Sequence, residues 1–74
     1  MRFKELESVV LKTDHPEAGI RAGDLGTVVA TYHKTDGLEV EFFRANGATK
    51  AVVTLSSRDV RKVRSSEIIA VRSP

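Results

Sequence analysis

The chain contains no cysteine. That absence removes a disulfide framework, a thiolate metal site and a cysteine nucleophile together. Small secreted domains generally depend on cross-links, so a cysteine-free domain of 74 residues is expected in a reducing cytoplasm. Long apolar runs are also missing. The longest, Ile68-Ile69-Ala70-Val71, is far short of the roughly 20 residues that span a bilayer as a helix. The stretch Met1–Glu7 mixes charges of both signs around no apolar core and does not read as a secretory signal. Aromatic residues are scarce. Phe3, Tyr32, Phe42 and Phe43 are the full set, and there is no tryptophan.

What remains is one small domain, with stability expected on the order of 5 kcal/mol. The net charge of +2 is unevenly spread. Residues 1–60 hold eight Lys/Arg against nine Asp/Glu. Residues 61–74 hold Arg61, Lys62, Arg64 and Arg72 against Glu67 alone. The body is therefore near neutral and the tail is basic, which hints at an anionic partner.

The pattern along the chain is that of short strands. Ser8–Lys12 is rich in β-branched residues and reads as the first strand. Thr13–Arg21 contains Pro16 and Gly19, which exclude a regular element, so a long ordered loop is expected with Ile20 pinning it to the core. Gly23 and Gly26 flank Asp24 and Leu25 as a tight turn, where glycine takes positive φ without steric cost. Thr27–His33 follows as a strand with Val28, Ala30 and Tyr32 inward. Thr35-Asp36-Gly37 is a hairpin turn. Leu38–Arg44 has the cleanest alternation, with Leu38, Val40 and Phe42 inward and Glu39, Glu41 and Phe43 outward. Ala45-Asn46-Gly47 is a second turn. Thr49–Leu55 is then a strand with Ala51, Val53 and Leu55 inward. Ser56–Asp59 suits one helical turn capped by Ser56, with Asp59 reaching back to the Ser56 amide, and Val60–Val63 is a closing strand.

Five short strands with glycine-bearing hairpins predict an all-β domain: a small five-stranded barrel over residues 1–63, with one 3-10 turn before its last strand. Closing the sheet is expected to remove most exposed strand edges. Residues 64–74 form a C-terminal extension. Its Ile68, Ile69 and Val71 would add a strand, swap into a second copy or bind a partner.

The segment Gly23-Asp24-Leu25-Gly26-Thr27-Val28-Val29 resembles the KOW-type core of SH3-like barrels, whose members bind RNA or protein. A fuller pattern runs through Val9-Val10-Leu11, His15-Pro16-Glu17-Ala18-Gly19, Ala22–Val29, Glu39–Phe42 and Thr54–Arg61. By it the chain resembles a bacterial family of small proteins, domain of unknown function 4926. The resemblance covers the chain to about Val63. It implies an SH3-like barrel and brings no activity or site residues with it.

No stretch assembles chemistry. His15 and His33 with Asp14, Glu17 or Asp36 follow no metal-ligand spacing, and solvated loop histidines account for them better. Ser56, Ser57, Ser65 and Ser66 lack a nucleophile-elbow context. Glu39 and Glu41 project from one strand face, as an acid–base pair could, but a wet outer sheet face explains them more simply. Gly23-x-x-Gly26 lacks the Gly-Lys-Ser/Thr ending of a phosphate loop, and a strand follows it. No catalytic residue, cofactor or metal is therefore expected.

The reading that remains is a non-catalytic binding module for a protein partner, in a self-associating, accessory-subunit or antitoxin-like role. The expected contact residues are His15, Pro16, Glu17 and Ile20 of the long loop, outward Phe43, and Ile68, Ile69 and Val71 of the tail, with a homodimer through the tail as one form. The alternative is a KOW-like nucleic-acid binder that sets Arg58, Arg61, Lys62 and Arg64 on phosphates. The few aromatics offer little stacking surface for it, and Glu39 and Glu41 would repel a nearby backbone.

Overall fold

A computed structural model describes residues 2–44, 46–64 and 66–67. Five strands form one antiparallel sheet: β1 (Ser8–Leu11), β2 (Leu25–Tyr32), β3 (Gly37–Phe43), β4 (Thr49–Ser56) and β5 (Val60–Lys62). Their order is β4-β3-β2-β1-β5. A meander is followed by a 3-10 turn at Ser57–Asp59, and β5 then returns to pair with β1. This is the all-β, five-stranded arrangement that the sequence predicts, with the 3-10 turn before the last strand. The ring is not completed, however. Among the described residues β4 and β5 do not pair, so the sheet keeps two edges.

The core is built by alternation. Val9, Leu11, Val28, Leu38, Val40, Phe42, Leu55 and Val60 are buried in one cluster, with Phe3 and Ile20 closing its ends. Ala51 and Val53 pack against it. Each fully buried Val, Leu, Ile or Phe contributes about 1.5–3 kcal/mol. Phe3 lies in no strand. The amino-terminal segment reaches the core because the Leu6 amide donates to Val28 O and the Val28 amide donates to Glu7 O.

Three local expectations need correction. Tyr32 is not inward. A bulge lies between Val28, opposite Val40, and Ala30, opposite Glu39. One extra residue shifts the two-residue period, so Thr31 faces Leu38 and Ala30 and Tyr32 turn to the outer face. Gly26 is not a turn residue either. Gly23 carries the left-handed backbone, φ +96°, while Gly26 is buried within β2 opposite Phe42. Finally, Thr13–Arg21 does contain an element, a 3-10 turn at Pro16–Ala18 enclosed by a bridge between His15 and Ile20.

The capping expectation holds in full. Ser56 Oγ accepts from the Arg58 amide at 3.2 Å, and Asp59 Oδ2 accepts from the Ser56 amide at 3.0 Å. After β5 the backbone is helical at Ser66 and Glu67, and the Glu67 amide donates to Arg64 O at 3.0 Å. The tail residues Ile68, Ile69 and Val71, expected as an added strand or contact segment, lie outside the described residues.

Candidate interaction surface

The outer face of the sheet can be written as rows running across the strands. In one row Val10 of β1 lies opposite both Arg61 of β5 and Leu25 of β2. The register then sets Leu25 beside Phe43 of β3, which faces Thr49 of β4. In the next row Ser8 faces Thr27, Thr27 faces Glu41, and Glu41 faces Val52. Beyond it come Ala30, Glu39 and Thr54, then Tyr32 and Gly37.

Apolar side chains stand out on this face. Leu25 is 52% exposed, Phe43 42%, Val52 54% and Tyr32 44%. Leu25 and Phe43 adjoin, with Val52 one row along. The glutamates between them are tied to neighbours. Glu39 Oε1 accepts from Tyr32 Oη at 3.2 Å and from Thr54 Oγ1 at 2.9 Å, and Glu41 Oε2 accepts from Thr49 Oγ1 at 2.6 Å. The Glu39 charge, with the hydrogen bond to it, raises the Tyr32 phenol above its ordinary pKa. Phe43 is thus outward as its alternation indicates. Leu25 and Val52 were missed as contact residues. Alternation could have found Val52, but Leu25 is hidden in what reads as a turn.

The long loop is held by its own carboxylates. Asp14 Oδ1 accepts from the Ala22 amide at 2.9 Å, and Asp24 Oδ2 accepts from the Arg21 amide at 3.0 Å and pairs with Lys50 Nζ at 3.2 Å. The Arg21 amide is the main reason, against the opposing effect of burial and aided by Lys50, that the Asp24 carboxyl sits below its usual range. Pro16 and Glu17 are exposed on the 3-10 turn, and His15 is half-buried with Nδ1 3.5 Å from Glu17 Oε2. Ile20 is 2% exposed, so it offers no contact surface and acts only as the loop's pin. An open cleft of about 390 Å³ separates this loop from β4, lined by Asp14, Pro16, Gly19, Ile20, Arg21 and Lys50. Loop and Phe43 contribute to different parts of the surface.

The basic residues do not form one patch. Arg61 and Lys62 are successive residues of β5 and so project to opposite sides. Arg61 makes a bidentate pair with Glu67, at 3.0 and 2.8 Å. That pair, followed by the Arg64 amide at 2.6 Å, pulls the Glu67 carboxyl down to about 2. Lys62 Nζ lies 3.2 Å from Glu7 Oε2 and 5.8 Å from the Phe3 ring centroid. Burial raises the Glu7 carboxyl, but the Lys4 amide and Lys62 outweigh it and leave it below its usual value. The Arg58 and Arg64 side chains are exposed. Among the described residues no three His, Asp or Glu side chains gather as a metal site, and no helix is long and apolar enough to cross a membrane.

Residues 5–62 match the family model described as Domain of unknown function (DUF4926). The chain belongs to this family. The DUF4926 match begins just before β1 and ends on the last residue of β5, so it takes in the whole sheet and leaves Glu67 and the tail outside. Comparison with curated proteins and with solved structures gave no match.

Proposed function

We propose that this domain is a small non-catalytic binding module whose ligand is another protein. The observation that carries the reading is the outer sheet face, where Leu25 and Phe43 stand exposed side by side, with Val52 one row along, on a sheet whose other face is already filled by the core. Burying such a cluster drives association, and aromatic side chains are favoured as anchors. The absence of cysteine suits a reducing compartment such as the cytoplasm. A nucleic acid is a weaker candidate, because Arg61 and Lys62 would first have to leave Glu67 and Glu7.

The test compares the tagged chain with a Leu25→Ser, Phe43→Ser variant for the proteins each recovers from its own cell. Both substitutions are at exposed positions, so the melting temperature should hold within a few degrees. A specific protein recovered by the parent and lost by the variant is the expected result. Identical recovery by a folded variant would defeat the proposal, as would a nucleic acid bound with a steep loss of affinity in salt.

A further inference from the structure

We infer that a second copy of the chain joins the domain at the border of this face, by antiparallel pairing of the two β4 edges about a twofold axis at Val52. The inference rests on the reading of the domain as a protein-binding module and adds to the Leu25 and Phe43 surface a separate contact along the sheet edge.

The two edges of the sheet differ in how they are protected. β5 has three residues, two of them charged. β4 has eight, Thr49-Lys50-Ala51-Val52-Val53-Thr54-Leu55-Ser56, with no proline and a single charge. That charge, Lys50, is bound to Asp24. Exposed edges are usually blunted by short length, proline or free charge, and β4 has none of these over Ala51–Ser56.

The direction of its backbone groups follows from the ladder. At the end of the β3–β4 pair the Ser57 amide donates to Asp36 O at 3.0 Å. Hydrogen-bonded and non-bonded pairs alternate along an antiparallel ladder. Counting from Asp36 and Ser57, the opposed pairs Leu38 with Leu55 and Val40 with Val53 bond to each other. The pairs Glu39 with Thr54 and Glu41 with Val52 do not. The N–H and C=O groups of Val52 and Thr54 therefore point out of the sheet, toward an edge that pairs with no other strand among the described residues.

A twofold antiparallel register must match residues of the same face. Centred on Val52 it does so over Ala51–Val53, inside the irregularity at Lys50, where the register passes from Phe42 opposite Ala51 to Phe43 opposite Thr49. Val52 meets Val52 of the second copy on the outer face, and Ala51 meets Val53 on the inner face, extending the half-buried rim of each core. The two Val52 residues exchange both backbone hydrogen bonds. Lys50, the extra residue of β4 between Ala51 and Thr49, stays paired with Asp24 of its own chain, so no free like charges meet across the axis. The result is one continuous ten-stranded sheet, twice the five strands of a single copy. It buries the most exposed apolar side chain of the edge against its own kind.

The experiment uses the full chain, with mass measured by light scattering and amide hydrogen exchange by NMR. A dimer is expected, with Val52 and Thr54 amides protected to the same degree as Val53. In Val52→Lys the chain should be monomeric and the Thr54 amide should exchange about tenfold faster or more, with Val53 unchanged. Val52→Glu should also be monomeric, and mixing it with Val52→Lys should restore a dimer. A monomeric parent whose Thr54 amide exchanges freely overturns the inference without any need of a variant. It leaves the wider binding proposal standing, since that proposal fails instead on identical recovery by the Leu25 and Phe43 variant. A dimer that survives Val52→Lys, or one that is lost when the chain ends at Glu67, also overturns it, the latter by assigning the contact to the tail.

Discussion

Replacing Gly26 by alanine tests the packing of the two central strands. A Cβ at this position would lie 2.6 Å from Val40 Cγ1 and 3.0 Å from both Glu41 O and Phe42 Cδ1. Carbon atoms normally approach to about 3.5–4.0 Å, so the added methyl intrudes by about 1 Å on Val40. Val40 and Phe42 are fully buried and have no solvent to retreat into, and Glu41 O belongs to the strand backbone. Overpacking of this kind costs about 1–3 kcal/mol, a large share of a total near 5 kcal/mol. With a urea slope of about 1 kcal/mol per molar, the unfolding midpoint should fall by about 1–3 M. Gly23→Ala is the matched control. Nothing lies within 4 Å of a Cβ there, so it carries only the strain of φ +96°, about 1–2 kcal/mol. Adding Val40→Ala separates the two causes. It should relieve Gly26→Ala by about 1 kcal/mol relative to additivity and leave Gly23→Ala additive. A Gly26→Ala chain within about 0.5 kcal/mol of the parent, or strict additivity with Val40→Ala, would refute the steric account.

Phe42→Ala should cost about 3–5 kcal/mol, leaving at most about 2 kcal/mol and a urea midpoint below about 2 M, while Phe43→Ala should stay within about 0.5 kcal/mol; similar losses at both would contradict the assigned faces. Ser56→Ala removes one half of the cap on the 3-10 turn and should lower stability in urea by about 1 kcal/mol. The Glu67 carboxyl should titrate near 2 by NMR, against an ordinary 4.5. Its folded pKa is depressed, so the anchoring of Glu67 to Arg61 is fully present above 4.5 and is lost as pH falls through about 2. A midpoint near 4.5 would show that the Arg61 pair does not persist in solution. Tyr32 should ionise above 10 by ultraviolet titration, and Glu39→Gln should bring it back toward that value.

The strands whose patterns are local were legible from sequence. Leu38-Glu39-Val40-Glu41-Phe42 alternates without interruption, and each of its side chains faces as the alternation predicts. β2 was legible only as far as Val28. Nothing in Thr27-Val28-Val29-Ala30 marks a bulge, because every one of those residues suits a strand, yet one inserted position reverses the facing of Tyr32. Phe3 was not legible at all. Its burial depends on backbone bonds from Leu6 and Glu7 to Val28, more than 20 positions along the chain, and no periodicity reports such a contact. The twin glycines illustrate the same limit. Both suit a turn by composition, but only Gly23 has the left-handed backbone, and Gly26 is required by what packs across from it.

The candidate surface was half legible for a related reason. Charge counted along the chain treats Arg61 and Lys62 as one basic cluster, whereas a strand sends them to opposite sides. Each there meets a carboxylate, Glu67 for Arg61 and, from the other end of the chain, Glu7 for Lys62. The linear count therefore overstates the positive field open to a phosphate. Apolar residues err in the other direction. Val52 reads as one of several β-branched residues, and its position gains meaning only once β4 is known to be an edge, which is a property of strand order and not of its own sequence. Leu25 becomes part of a surface only when the register sets it beside Phe43. Folding thus consumes charge that the sequence displays and exposes apolar area that the sequence conceals. That imbalance is the physical reason to expect a protein partner here before a nucleic acid.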